Sequence, residues 1–152
     1  MVKSYRGVPV AKPAATAQKV TVSDYMSTKL ITFRPEQHMD EVINTLLKYK
    51  ISGGPVVNSE NELVGVISEG DCMKEVVRGK YNNMPNLNGV VAEHMTSNVI
   101  SIPPETNIFD AAKMFLDKRI RRFPVVNHGK LVGQISQKDI MRAVHNMQSQ
   151  TW

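Results

Sequence analysis

The sequence predicts a mixed α/β (α+β) fold: two tandem β-α-β-β-α repeats packed sheet to sheet with pseudo-twofold symmetry. Three observations predict it. The chain is an internal duplication. Each copy alternates short β-prone runs with an amphipathic helical pattern. One copy alone is too small to bury a comfortable core, so the two are expected to share one.

The duplication appears when Met26 is set against Met95. Ile31 then meets Ile100, Pro35-Glu36 meets Pro104-Glu105, Leu47 meets Leu116 and Ile51 meets Ile120. Pro55-Val56-Val57-Asn58 meets Pro124-Val125-Val126-Asn127. After a one-residue deletion, Leu63-Val64-Gly65 meets Leu131-Val132-Gly133, and Asp71 meets Asp139. The period of about 69 residues exceeds that of stacked solenoid repeats, so a whole subdomain is duplicated.

The elements follow in order. Leu30–Phe33 and Val99–Ile102 are short β-prone runs, each stopped by proline. Met39, Val42, Ile43, Leu46 and Leu47 then mark one face of a helix, and Ile108, Ala111, Ala112, Phe115 and Leu116 repeat it. Asn107 with Asp110 predicts an N-cap and its reciprocal acid; His38 with Glu41 is the same device with a poorer cap residue. Pro55–Val57 and Leu63–Ile67 predict two strands joined by the polar turn Asn58–Glu62. In the second copy the turn shortens to Asn127-His128-Gly129-Lys130, where Gly129 can take positive φ. A last helix starts near Ser68 and again near Ser136.

The chain therefore divides into a basic arm (1–20), a first repeat (21–77), a linker rich in Gly, Asn and Pro (78–90), a second repeat (91–146) and a short tail (147–152). The arm carries Lys3, Arg6, Lys12 and Lys19 and no acid, and is too broken for a signal peptide.

Hydrophobic residues make up 41% of the 152 and charged residues 22%, ordinary for a globular protein. The net charge of +5, with a pI near 9.4, is mild and spread along the chain. It does not by itself argue for nucleic acid. Around the arm and linker only Tyr5 and Tyr81 offer aromatic interleaving, too little for a nucleic-acid interface. One cysteine, Cys72, rules out an internal disulfide framework and fits a reducing compartment. No apolar run approaches the ~20 residues that span a bilayer. A cytoplasmic location without a membrane partner is expected.

No catalytic set is visible. His38, His94, His128 and His145 lack metal-ligand spacing, Cys72 has no histidine near it in sequence, and there is no P-loop, dinucleotide fingerprint or Gly-x-Ser-x-Gly. No enzymatic activity, metal or required cofactor is expected, and Cys72 reads as a small buried residue.

What recurs is Gly65-Val66-Ile67-Ser68-Glu69-Gly70-Asp71, matched by Gly133-Gln134-Ile135-Ser136-Gln137-Lys138-Asp139. A strand ends and a helix begins inside it, and N–H groups at a helix start attract phosphate. A hydroxyl from Ser68 or Ser136 adds a hydrogen bond. Asp71 or Asp139 suits the two hydroxyls of a ribose, and the glycine would let a flat ring approach the strand. These parts suit an adenosine nucleotide. Equally, serine followed three residues later by an acid is a capping box, which stabilises a helix by ~0.5–2 kcal/mol and binds nothing.

The whole pattern resembles a pair of CBS domains, the modules named for cystathionine β-synthase. The resemblance covers residues 22–145. It rests on Tyr25-Met26-Ser27 and His94-Met95-Thr96, the helix after Pro-Glu, Ile51-Ser52-Gly53-Gly54-Pro55-Val56-Val57 and Ile120-Arg121-Arg122-Phe123-Pro124-Val125-Val126, and the two Gly-x-Ile-Ser-x-x-Asp motifs. It implies a module with two clefts that bind AMP, ADP, ATP or S-adenosylmethionine and so regulate an attached or partner protein. Asp71 and Asp139 would hold ribose hydroxyls, and Ser68 and Ser136 would contact phosphate or ribose. Ile31-Thr32 and Ile100-Ser101 would line the adenine. Arg121 and Arg122, just before Pro124, would face phosphate, with Lys138 a further candidate cation. Before Pro55 the first copy departs from this: Ser52-Gly53-Gly54 offers no cation, and its glycines are expected to open space for a base or sugar. Unequal clefts are expected.

The resulting expectation is a stand-alone adenosine-ligand sensor acting in trans on an unknown protein, since nothing outside the repeats is large enough to be an effector. A homodimer would use the apolar faces of the last helices, Met73, Val76 and Val77 with Ile140, Met141 and Val144. The competing reading is a dimerisation scaffold with unoccupied clefts.

Overall fold

The computed structural model describes residues 20–81 and 89–151. Most of the basic arm and the middle of the linker lie outside the described residues. In chain order the helices are α1 (Val22–Tyr25), α2 (Met39–Tyr49), α3 (Glu69–Tyr81), α4 (Val91–His94), α5 (Ile108–Lys118) and α6 (Gln137–Thr151). The strands are β1 (Gly53–Val57), β2 (Leu63–Ser68), β3 (Arg122–Asn127) and β4 (Lys130–Ser136), paired as β1 with β2 and β3 with β4.

Helices α2 and α5 form where the apolar spacing predicts them. Met39, Val42 and Leu46 are buried from one, and Ile108, Ala111 and Phe115 from the other. Their caps are complementary halves of one device. Asn107 Oδ1 accepts from Phe109 N at 2.7 Å and Asp110 N at 3.4 Å, whereas Glu41 Oε1 reaches back to His38 N at 3.0 Å. Leu47 and Leu116, counted on the apolar face, lie instead on its outer edge and are 72% and 79% exposed.

The hairpins also follow the sequence. His128 (φ 51°) and Gly129 (φ 82°) both take positive φ, as a two-residue type I′ turn requires. The first run of each copy differs from expectation. Instead of a strand, each makes one parallel bridge, Phe33 to Val56 and Ile102 to Val125. Phe33 N donates to Pro55 O, and Val57 N donates to Phe33 O, both at 2.9 Å. Pro55 has no N–H to extend that ladder, and Pro35 ends the run; Pro124 and Pro103 do the same in the second copy. The last helices run further than expected: α3 continues to Tyr81 through Gly79, and α6 takes in most of the tail. A helical glycine costs only about 1 kcal/mol relative to alanine.

The described residues fall into two compact units, and neither is a repeat as read along the sequence. One holds the residues up to Thr28, Ser101–Asn127 and those from Val132 on. The other holds Lys29–Ile100 and His128–Leu131. Each body thus takes in the leading helix of the other copy. Val22 of α1 is buried with Ile102, Ile108, Phe115, Phe123, Val125 and Ile135. Val91 of α4 is buried with Phe33, Met39, Val42, Val56 and Ile67.

Candidate functional site

The exchanged segments decide what the motif glycines do. In the first unit Ser27 exchanges two backbone hydrogen bonds with Gln134, both 2.9 Å, beside Gly133. A Cβ on Gly133 would lie 2.5 Å from Met26 Sδ and 2.9 Å from Ser27 O. In the other unit Thr96 pairs with Val66, and a Cβ on Gly65 would lie 2.5 Å from Met95 Sδ. The expectation that these glycines admit a flat ring is therefore corrected: the other copy's Met and the following backbone fill the space. Nor is Gly54 open. It is buried, and a Cβ there would meet Ile31 O at 2.9 Å and the Phe33 ring at 3.0 Å. Gly53 faces Ser68 across β1 and β2, where a Cβ would meet Ile67 O at 2.6 Å.

The Ser-x-x-Asp junctions are well defined in both copies. Asp71 Oδ2 accepts from Ser68 N at 2.8 Å and from Ser68 Oγ at 3.1 Å. Asp139 Oδ2 accepts from Ser136 N and Ser136 Oγ, both at 2.9 Å, and Asp139 N donates to Ser136 Oγ at 3.2 Å. The capping geometry is thus present, and it points each carboxylate back at the strand end. Asp71 is buried. At Asp139 the other oxygen, Oδ1, accepts from Arg142 Nη1 at 3.1 Å. Arg142 also donates to Tyr25 O at 3.2 Å and lies over the Tyr25 ring. Sequence reasoning missed Arg142, although its i+3 spacing from Asp139 was a usable signal.

The other candidates surround these junctions. Gly53, Gly54 and Pro55 run opposite Ser68, Ile67 and Val66. Ile31 is half-buried with its carbonyl over Gly54, and Thr32 is exposed beside it. In the second copy Pro124 is buried and accepts through its carbonyl from Ile102 N at 3.0 Å, which fixes the neighbouring, exposed Ser101. Ile100 is exposed and falls in the other unit. Arg121, Arg122 and Lys138 are exposed, and among the described residues none of the three forms an ion pair. The loop holding the arginines is tied to the start of α6 by Gln137 Nε2, which donates to Ile120 O at 3.4 Å.

A second polar cluster has no counterpart in the other copy. Glu75 on α3 is buried, with Oε1 3.6 Å from His94 Nε2 and Oε2 2.8 Å from Arg78 Nη1, off the hydrogen-bond direction. The equivalent residue is the buried Ala143. No group of three His, Cys, Asp or Glu side chains among the described residues could hold a metal.

Cys72 follows Asp71 and is buried in the core with Ile67 and Val56. Burial first, then the charges of Asp71 and Glu69, pushes its thiol above the ordinary range. The folded state prefers the neutral thiol, a stabilising contribution that fades as pH rises through the alkaline thiol range. Cys72 is expected to resist iodoacetamide in the folded protein at about pH 8 and to react once urea unfolds it. Rapid labelling of the folded chain would contradict its burial.

Fold and site together define a duplicated α/β module with one capped hairpin-to-helix junction per copy. The CBS domain family model matches residues 22–78 and again 91–146. The chain belongs to the CBS domain family. It is 33% identical over 121 residues to the protein MJ1225 of Methanocaldococcus jannaschii, covering 80% of this chain and 41% of that one. It is 28% identical over 157 residues to the chloroplastic CBS domain-containing protein CBSX2 of Arabidopsis thaliana, covering 86% and 66%. The chain thus spans less than two thirds of these relatives' length. Among solved structures it is similar to CBSX2 in complex with AMP (TM-score 0.73, 30% identity, 84% of this chain and 98% of that one). It is also similar to the CBS domain pair of MJ0100 in complex with 5′-methylthioadenosine and S-adenosyl-L-methionine (TM-score 0.65, 26% identity, 84% and 97%). No described helix is long and apolar enough to cross a membrane.

Proposed function

We propose that the chain is a regulatory module that binds adenosine-containing small molecules, AMP, ADP, ATP or S-adenosylmethionine, and performs no catalysis of its own. The doubled Ser-x-x-Asp junction carries this reading. A cap alone needs one carboxylate oxygen, and in both copies Oδ2 serves it. The other oxygen of Asp71 is then left to accept from a ribose hydroxyl, and that of Asp139, which already accepts from Arg142 Nη1 at 3.1 Å, would share its remaining lone pair with one. Ser68 or Ser136 sits beside it for phosphate or ribose, and Ile31-Thr32 in the one unit or Ser101 in the other offers backbone to the adenine edge. Relatives of the same fold that hold AMP, 5′-methylthioadenosine and S-adenosyl-L-methionine support it.

Regulation acts through a protein partner that reads the ligand-bound state. Met73, Val76 and Val77 are all exposed on α3, and Met141 on α6, whereas Ile140 is core. The exposed set supports a homodimer through these helices. The buried free thiol fits a reducing compartment, read as the cytoplasm, and the mild, scattered charge does not favour nucleic acid as a partner.

Calorimetric titration of AMP, ATP and S-adenosylmethionine into wild type, Asp71→Ala and Asp139→Ala tests the site. Each substitution removes a charged acceptor worth about 1.5–3 kcal/mol. A loss of about tenfold to a hundredfold is expected for the ligand of the altered site. Unchanged binding in both variants refutes the ribose assignment. One observation favours a second reading: both Ser-x-x-Asp pairs are already satisfied as caps. If no adenosyl compound raises the melting temperature, the scaffold reading stands. A ligand at 100 times its Kd should add about 2.7 kcal/mol.

A further inference from the structure

Each unit holds the leading helix of the other copy with equivalent positions of its last helix, but the chemistry differs. In one, Asn146 Nδ2 donates to the Tyr25 hydroxyl at 3.1 Å, and Arg142 Nη2 donates to Tyr25 O at 3.2 Å. In the other, His94 stands at the place of Tyr25, Arg78 at that of Asn146 and Glu75 at that of Ala143. His94 Nε2 lies 3.6 Å from Glu75 Oε1, and the two side chains are only 12% and 6% exposed. Glu75 Oε2 is buried and receives no hydrogen bond. Its other cation, Arg78, is off the hydrogen-bond direction and lies mostly in solvent.

The remaining charges around the pair are few. A Cβ on Gly89 would lie 2.7 Å from Glu93 Oε1 and 2.8 Å from His94 Nε2, so a second carboxylate stands near the ring. On α3, Lys74 is exposed and Asp71 is turned back to Ser68. From the start of α2, His38 bridges Val90 with Glu41 beside it, and Ala92 N donates to Pro35 O between Arg34 and Glu36. All four of those side chains are exposed, and among the described residues none pairs with His94 or Glu75. Gly65 and Val66 of β2 carry no charge.

We propose that His94 and Glu75 form a protonation-controlled latch on the leading segment of the second copy. Histidine changes charge between about pH 5 and pH 8. The imidazolium pairs with a buried carboxylate that otherwise has only Arg78 to balance it, and Glu93 adds attraction. The neutral ring leaves that carboxylate buried and poorly compensated, which is destabilising. The favourable contact exists only with the proton bound. Its stabilisation is therefore present on the acid side and lost as pH rises through the histidine range. His94 directly precedes Met95, which fills the space over Gly65, and Thr96, which exchanges two 2.9 Å hydrogen bonds with Val66. Opening the latch loosens that segment on β2. The contacts of Asn146 and Arg142 with Tyr25 involve no histidine, so the device belongs to one unit, whether or not an adenosyl ligand binds.

Amide hydrogen exchange of the full chain tests this, with rates expressed as protection factors from about pH 5.5 to about pH 8. Protection at Val66 and Thr96 should fall about threefold to tenfold across that range, while that at Ser27 and Gln134 stays within about twofold. His94→Gln should bring Val66 and Thr96 at the acid end down to the wild-type alkaline level and remove the pH response, with His38, His128 and His145 still in place. The triple variant His94→Tyr/Glu75→Ala/Arg78→Asn rebuilds the tyrosine–asparagine contact and should give protection that does not change with pH. A response that persists in either variant overturns the latch. So does flat protection at Val66 and Thr96 in wild type, a result that stands even where a variant fails to fold.

Discussion

Phe123→Ala is expected to lower the stability of the fold by about 3–5 kcal/mol, the usual cost of emptying a buried aromatic site. The ring is fully buried, and its centroid lies 4.6 Å from that of Phe115 at an interplanar angle of 50°. It also lies among Val22, Ile102 and Ile135, so the void would open at the centre of its unit. The equivalent position in the first copy is Gly54, yet that copy is not underpacked. There the Phe33 ring takes the space beside the glycine, at the position where the second copy has Ile102. The large ring has changed places between the first run and the hairpin. Urea denaturation gives the measurement, and a loss under 1 kcal/mol would mean that the unit collapses around the gap.

Gly133→Val is expected to cost about 3 kcal/mol, the upper range for overpacking. The Met26 side chain can swing away from an added Cβ, but Ser27 O cannot, being held to Gln134 N at 2.9 Å. Combining the substitution with Met26→Ala should therefore recover only part of the loss. Amide exchange at Ser27 and Gln134 should accelerate in Gly133→Val. Wild-type protection at both would show that the bridge survives.

Much of this fold was legible in the sequence because its signals are local. The spacing of Met39, Val42 and Leu46 makes a helix wherever the chain goes, and His128-Gly129 supplies the φ values of a tight turn. The Ser-x-x-Asp pairing spans one helical turn and was legible for the same reason. What escaped depends on distant chain. Nothing near Gly65 in sequence announces Met95, and nothing near Gly54 announces the Phe33 ring, so both glycines looked like space for a ligand. Leu47 and Leu116 looked buried because apolar spacing defines a face without saying how wide a neighbour covers it. The β-prone runs shrank to single bridges, to Val56 and Val125, because the residue before each partner is a proline with no N–H for the next rung, a fact that matters only once the two are side by side.

The exchange of leading segments sets how the two copies can drift apart over descent. Met26 of the first copy is fitted to Gly133 of the second, and Met95 of the second to Gly65 of the first. A change in either glycine is judged by a residue inherited through the other copy, so the two halves of the gene are bound to one another at those places. The loops before Pro55 and Pro124 carry no such obligation: Gly53 and Gly54 are fitted to residues of their own copy, and Arg121 and Arg122 project outward. Duplication therefore left the joints tied across the copies, while each loop answers only to its own copy, closely at Gly53 and Gly54 and loosely at the exposed Arg121 and Arg122.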